Sequence, residues 1–545
     1  MEKRKKLCTY GRMLRVYKRR NGQISALEAP MFFGGVKLDP RNEWVRLAEL
    51  TPWDFVEEQY AGSFEGMATG NPAKPARMAI GTLIVKERYR FSDDDILAEI
   101  RMNPYLQYYI GMPEFSHEAP FDASTISRFR KRVTPEMLTK INDIVIERTG
   151  HRDNNTENPP EGPPPTGGEG TETGEAAKEE GNPRNKGTII LDATCTPQNI
   201  RYPTDISLLN EAREKLEKLI DTAHKAGYTE GEKPRTYRKR ARWDFLRFVR
   251  NRKPTKGFLR KSLRKQLGYV ARDIGHLGKI LHDHPEALNE RQTESFHVIQ
   301  TLYDQQREMY DQQTHRVNDR IVSLSQPHVR PIVRGKTAAP VEFGAKIEVS
   351  LVDRYARIEK LSWDAFNEGG TLQESVERFK ADTGRYPERI LGDKLFRTRE
   401  NIAYCKEHGI RMNGPKLGRP PKDPILRREQ HEIERKESGE RSLIECTFGV
   451  GKRRYTLGCI TTRLKHTSEV SIHVSILTMN LFRKLRLSFV LFFRQLQMAF
   501  FPAFRFPFRF LNDAFRIRFL CCLLCRRPYN IEKVKGSKAS GLSRA

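Results

Sequence analysis

The sequence predicts an α/β domain, a mixed sheet flanked by helices, that carries a long all-helical insertion after its first strand and follows a helical N-terminal domain. Three observations predict it. Residues 151–187 are rich in Pro, Gly, Glu, Thr and Asn and nearly empty of apolar side chains; such a stretch cannot bury enough surface to offset its ordering entropy, so it reads as a disordered linker. Beyond it, short apolar runs alternate with helical segments, the pattern of strands and helices in an α/β layer. Between the first such run and the next, residues 205–335 are dominated by the three- and four-residue spacing of helices.

In the N-terminal domain, residues 1–150, the segment MAIGTLIVKERYRFSDDDILAEIRMNPYLQYYIG has helical apolar spacing. Ser92 is placed to cap a helix whose first turn holds Asp93, Asp94 and Asp95, and capping accounts for these acids better than a metal does. After GMPEFSHEAPFDAS, the run TISRFRKRVTPEMLTKINDIV reads as one helix capped by Ser124, with Ser127, Arg128, Arg130, Lys131 and Arg132 making a basic face at its start. Helix, turn and basic helix suit a helix-turn-helix with a DNA-reading helix; an ordinary charged packing face is the alternative.

The second domain, residues 188–485, opens on the buried-strand run TIILDAT. ISLLNEAREKLEKLIDTAHKAG is amphipathic, and Leu259, Leu263, Leu267, Val270, Ile274, Leu277 and Leu281 recur at near-heptad steps. Between them lies the densest basic block of the chain, which includes Arg238, Lys239 and Arg240 and is interleaved with Tyr237, Trp243, Phe245 and Phe248. Its bases suit phosphate contact, and most of its aromatics suit packing. SQPHVRP breaks the helical pattern. EFGAKIEVSLVD and ARIEKLSW then read as strands around a turn at Asp353, Arg354 and Tyr355, followed by a helix ending at Gly384, the strand RILGDKLF, the helix RTRENIAYCKEHG and the strand IRMNGPKLG. With the insertion removed, this is the element order of an RNase H-like domain.

Asp192 and Asp393 end apolar strand runs, where a carboxylate is costly unless it meets a cation or good hydrogen bonds. Glu445 lies in GERSLIECTFGVGKRRY, a segment with helical spacing; a helix there would bring Arg441, Glu445 and Lys452 to nearly one face, as a surface ion-pair ladder also would. Gly449 and Gly451 each cost such a helix about 1 kcal/mol relative to Ala, so a bend or an end is expected there.

The blocks DATCTPQNIRYPTDISLLNEA, GDKLFRTRENIAYCKEHGIRMNGPKLGRP and RSLIECTFGVGKRRYTLG resemble, in order, the catalytic blocks of bacterial insertion-sequence transposases of the DDE type, and MFFGGVKLDPRNEWVRLAELTPWDFVEEQYAGSF is similar to their N-terminal domain. The resemblance runs from about residue 30 to about 485. It implies that Asp192, Asp393 and Glu445 are a catalytic triad holding two Mg²⁺ ions, with Mn²⁺ as a substitute, for DNA cleavage and strand transfer. It also implies that Arg441 and Lys452 are the Arg and Lys of the Y-R-E-K signature, offsetting charge on the phosphates. Ser438 stands where that signature has its tyrosine, a departure that bears on how strand ends are handled. Double-stranded DNA at element ends and target is the implied partner, with Arg453 and Arg454 beside the site and a homo-oligomer assembled on the DNA. No nucleotide cofactor is needed, because one phosphodiester is exchanged for another. An RNase H-like nuclease or resolvase would use the same acids, and a catalytically silent transposase-derived DNA-binding protein would keep only the basic elements.

Charge agrees with a nucleic-acid partner: 97 Lys and Arg face 69 Asp and Glu, a net charge of +28. The eight cysteines are scattered or clustered without metal-ligand spacing, as in a reducing compartment. The basic N-terminus lacks the apolar core of a signal peptide, so a cytoplasmic, nucleoid-associated protein is expected. The tail, residues 486–545, is rich in Phe and Arg. Arg494, Pro502, Arg505, Pro507, Arg509 and Asp513 interrupt it, so membrane spanning is not expected and membrane contact is the lesser alternative to a multimer interface or a poorly ordered end.

Overall fold

Side chains close in sequence set the ends of the N-terminal helices. The computed structural model describes residues 37–64, 72–150, 185–229, 231–333, 341–414 and 423–500. Nearly all of the linker, the basic N-terminus and the tail beyond Phe500 lie outside them. Helices α1 (Glu43–Leu50), α2 (Trp53–Gly62), α3 (Ala76–Tyr89), α4 (Asp93–Met102), α5 (Pro104–Tyr109), α6 (Ala123–Arg132) and α7 (Pro135–Gly150) make up the first part. Ser92 caps α4: its hydroxyl accepts from the Asp95 N–H at 3.1 Å, and the Asp95 carboxylate accepts from the Ser92 N–H at 3.3 Å. Asp93 pairs with Lys86 at 3.0 Å and with Arg130 at 2.5 Å, so these acids serve capping and packing.

The single helix expected from TISRF to NDIV is two. Asp122, not Ser124, caps α6 by accepting from the Ser124 N–H at 2.8 Å. Pro135 disfavours helical geometry at Thr134 and starts α7.

These helices dock on the second domain, and the described residues up to Leu485 belong to one compact unit. The buried Glu87 on α3 accepts from Ser471 and Ser475, both at 2.8 Å, and from Thr456. Asn142 on α7 donates to the Ala356 carbonyl at 3.1 Å. Both contacts reach across the linker to the second domain.

The insertion holds α8 (Asp205–Lys225), α9 (Arg238–Val249), α10 (Lys256–Asp283) and α11 (Glu290–Gln312). Leu209, Ala212, Leu216, Leu267, Val270, Leu277, Ile299 and Leu302 share one core, and Leu263, Ile274 and Leu281 pack at its margin, as the near-heptad steps require. One acid sits badly there. Asp273 on α10 is fully buried, and neither of its oxygens has a hydrogen-bond partner among the described residues. Burial, helped by the Glu217 carboxylate and opposed by Arg213, Arg272 and Arg238, pushes its pKa up to about 7. A carboxyl raised in the folded chain contributes stability that is complete below its unfolded pKa and is lost as pH rises through the folded one. Asp273→Asn should therefore raise Tm by several degrees near pH 8 and by little near pH 4. A gap between variant and wild type that stays constant with pH would count against this.

The sheet runs β2-β3-β1-β5-β6, with β4 also paired to β3. Its strands are β1 (Thr188–Pro197), β2 (Arg330–Val333), β3 (Val341–Val352), β4 (Tyr355–Ser362), β5 (Arg389–Leu391) and β6 (Arg411–Met412). β3 lies antiparallel to β1, β2 and β4, whereas β5 runs parallel to β1 and β6 parallel to β5. Asp353 and Arg354, with φ of 50° and 66°, make the two-residue turn that matches strand twist in a hairpin. Two expectations need correction. β2 lies inside the range read as helical insertion, and β5 and β6 are shorter than their apolar runs because the chain turns away at Gly392 and Asn413.

Helices α12 (Leu372–Thr383) and α13 (Arg399–Glu407) cover one face, packing Leu372, Val376, Phe379 and Cys405 on Ile189, Leu191 and Ile390. The long helix α14 (Pro424–Arg454) places Ile444 and Phe448 on the other face, against Ile190, Val349 and Leu351. Contrary to the expected break, α14 runs on through Gly449 and Gly451. A Cβ at Gly451 would meet the end of the Leu457 side chain at 2.7 Å, so any larger residue there would have to displace it. Helix α15 (Lys465–Phe500) follows, and no helix among the described residues is long and apolar enough to cross a membrane.

Candidate active site

The site grows from the β1–β5 register. The last pair is Ile190 with Leu391, so Asp192 and Asp393, each two residues further on, lie at the same end of these parallel neighbours, and Asp393 is near enough for its charge to act on Asp192. Asp192 shares its face with Val349, the residue opposite it on β3, and that face is the one α14 covers.

Asp192 is largely buried. Its Oδ1 accepts from the Ala193 N–H at 2.8 Å, and its Oδ2 lies 3.6 Å from the Arg441 guanidinium. Burial first, then the neighbouring Glu368 and Asp393 carboxylates, push its pKa up to about 6 against the pull of Ala193 and Arg441. Asp393 caps the single turn Lys394–Phe396, accepting from the Lys394 N–H at 2.7 Å. Glu445 projects from α14 one turn after Arg441, whose Nη2 donates to it at 2.8 Å. Arg441 thus joins Asp192 to Glu445.

The structure does not draw all three acids together. Among the described residues, no group of three His, Cys, Asp or Glu side chains is arranged to hold a metal ion. The donor set nevertheless fits a hard divalent cation: it offers carboxylate oxygens, and Asp192 carries a desolvated charge beside two other acids with one guanidinium to offset it. Glu368, in the turn after β4, had no signal in the sequence; its 2.9 Å ion pair to Lys346 and its effect on Asp192 come from the fold.

Lys452, Arg453 and Arg454 occupy the last turn of α14, beyond the glycines where a break was expected. Of the residues expected on a DNA-reading helix, Ser127, Arg128 and Lys131 are exposed on α6. Arg130 is not: it is buried, with both guanidinium nitrogens on Asp93 at 2.9 and 2.5 Å. In the basic block, Lys239 and Arg240 are exposed, whereas Arg238 is committed to Asp221 at 3.0 and 2.9 Å and fastens α9 to α8. The aromatics divide too: Phe248 stacks on Phe258, but Trp243 is 52% exposed with Arg240 and Arg247 over its ring.

Comparison with known proteins places the chain among transposases. Residues 390–482 match the family described as Transposase DDE domain, a span that begins in β5 and takes in Asp393 and Glu445. Residues 35–132 match the family described as Transposase domain (DUF772), which covers α1 to α6. A protein of Rhizobium meliloti, described as uncharacterized protein ORF8 in the nfe locus, is 30% identical over 190 residues, or 35% of this chain and 77% of the relative. No solved structure matches. The chain belongs to the DDE-type insertion-sequence transposases.

Proposed function

We propose that this chain binds the ends of an insertion sequence, cleaves the DNA there and joins the freed 3′ ends to a target. The observation that carries the reading is the placement of Asp192 and Asp393 at the same end of neighbouring parallel strands, with Glu445 tied to Asp192 through Arg441. The sheet, with β2, β3, β4 and β1 paired antiparallel and β5 and β6 added parallel to β1, and with helices on both faces, supports an RNase H-like scaffold. Asp192, Asp393 and Glu445 would hold divalent cations, Mg²⁺ first and Mn²⁺ as a substitute; when bound, a pair of such ions activates the attacking oxygen and stabilises the leaving one.

The chain's own residues have separate tasks. Arg441, which bridges Asp192 and Glu445, would offset charge on the phosphate under attack, a task shared with Lys452. Arg453, Arg454 and the exposed face of α6, with Ser127, Arg128 and Lys131, track the DNA backbone in the manner of a helix-turn-helix. Lys239, Arg240 and the rest of the α9 surface hold flanking or target DNA. The nucleophile for joining is the 3′-hydroxyl released by cleavage, so no nucleotide cofactor enters. Two ends must be handled together, which calls for a homo-oligomer on the DNA, acting in the cytoplasm.

A strand-transfer assay tests this. The full chain, given labelled element-end duplex, Mg²⁺ and a supercoiled plasmid, should yield label covalently joined to the plasmid. Nicked ends that never join would assign a nuclease or resolvase instead. Specific end binding without cleavage would assign a silent DNA-binding descendant.

A further inference from the structure

Asp393 follows a strand of three residues, which pairs with β1 over three positions and with β6 over two. So short a ladder holds the next peptide poorly, yet Asp393 must keep its place beside Asp192. Two asparagine side chains supply what the ladder lacks.

Asn413 comes directly after β6. Its Oδ1 accepts from the Gly392 N–H at 2.9 Å, its Nδ2 donates to the Gly392 carbonyl at 3.0 Å, and its own N–H donates to the Ile390 carbonyl at 3.0 Å. One amide therefore satisfies both backbone groups of the residue before Asp393 and carries the β5–β6 ladder one residue further. On the other side, the buried Asn401 of α13 donates through Nδ2 to the Phe396 carbonyl at 2.9 Å and to the Gly369 carbonyl at 2.6 Å. Phe396 closes the turn that Asp393 caps, and Gly369 follows Glu368. These turns approach so closely that a Cβ at Gly369 would lie 2.8 Å from the Leu395 carbonyl oxygen, and one at Gly392 would lie 3.0 Å from the Phe396 ring.

We infer that Asn413 and Asn401 are positioning residues that clamp the backbone on either side of Asp393 and so hold its carboxylate against Asp192. The inference rests on the proposed catalytic role of Asp393. Groups that orient a metal-binding carboxylate without touching the metal typically change its affinity 10–100-fold when removed.

The test uses the full chain, free of DNA, titrated with Mn²⁺ while free Mn²⁺ is followed by electron paramagnetic resonance, and then the same variants in Mn²⁺-dependent nicking. Asn413→Ala should weaken Mn²⁺ binding about 10–100-fold and raise the Mn²⁺ concentration for half-maximal nicking by the same factor, with end binding unchanged. Asn401→Ala, which leaves the Asn413 bonds intact, should shift both in the same direction and serves if Asn413→Ala does not fold. Asn210→Ala, which removes a buried amide from the helical insertion, should leave the Mn²⁺ dependence as in wild type. Wild-type Mn²⁺ affinity and dependence in both Asn413→Ala and Asn401→Ala overturn the clamp. An Asp393→Ala chain that still binds Mn²⁺ as wild type overturns the catalytic assignment itself, a separate outcome.

Discussion

Asp192→Ala, Asp393→Ala and Glu445→Ala should each reduce metal-dependent nicking of element ends by at least about a thousandfold while leaving end binding within about twofold, because groups that act as a unit fail together when one is removed. Asp192 offers a second, opposite signature. Its carboxyl is raised to about 6 by burial and by two acidic neighbours, so without metal it stabilises the folded chain at low pH and loses that contribution as pH rises through 6. Asp192→Asn, with nearly the same shape and no charge, should therefore melt higher than wild type near pH 8 in chelator, yet be inactive in Mg²⁺. Metal should reverse the order by stabilising the wild type more. A variant that nicks at the wild-type rate, or that melts lower than wild type in chelator at that pH, would remove Asp192 from the centre of the reaction.

How much of this could be read without the fold depended on the distance between partners. The ends of α4 and α12 were legible because Ser92 caps a turn three residues away and Gly384 takes the left-handed conformation, φ 74°, directly after its helix. Asp192 and Asp393 were legible because an acid at the end of an apolar run breaks a local pattern. What Arg130 and Arg238 do in the fold was not legible, for the opposite reason. Their partners, Asp93 and Asp221, lie 37 and 17 residues away, and a base committed to a distant acid looks the same in sequence as a free one. Asn413 and Gly392 are 21 residues apart, and a side chain that finishes a neighbouring strand's ladder leaves no periodicity behind. Glu368 reaches the site only because Lys346 and the turns after β4 and β5 carry it there.

Neutralising the exposed bases of α9 should show as a change in salt dependence more than as a change in activity. Asp244 is the acid carried by α9; it is buried, held by Lys265 at 2.7 Å and Tyr269 at 2.8 Å, and it lies 3.8 Å from the Arg240 guanidinium of the outer face. That face presents Lys239, Arg240, Arg242 and Arg247, and Arg250 follows directly after the helix, all exposed. Each base that neutralises a phosphate releases condensed counterion, so log K for duplex DNA falls with log salt by about 0.9 per contact. Replacing these five by Gln should flatten the slope by up to about 4.5 and weaken binding most at low salt. Arg238→Gln should behave differently: its guanidinium holds Asp221, so Tm should fall while the salt slope keeps its wild-type value. Equal slopes in the fivefold variant and wild type would place the DNA elsewhere on the surface. A flattened slope with Arg238→Gln would mean that Asp221 yields its partner to a phosphate when DNA is bound.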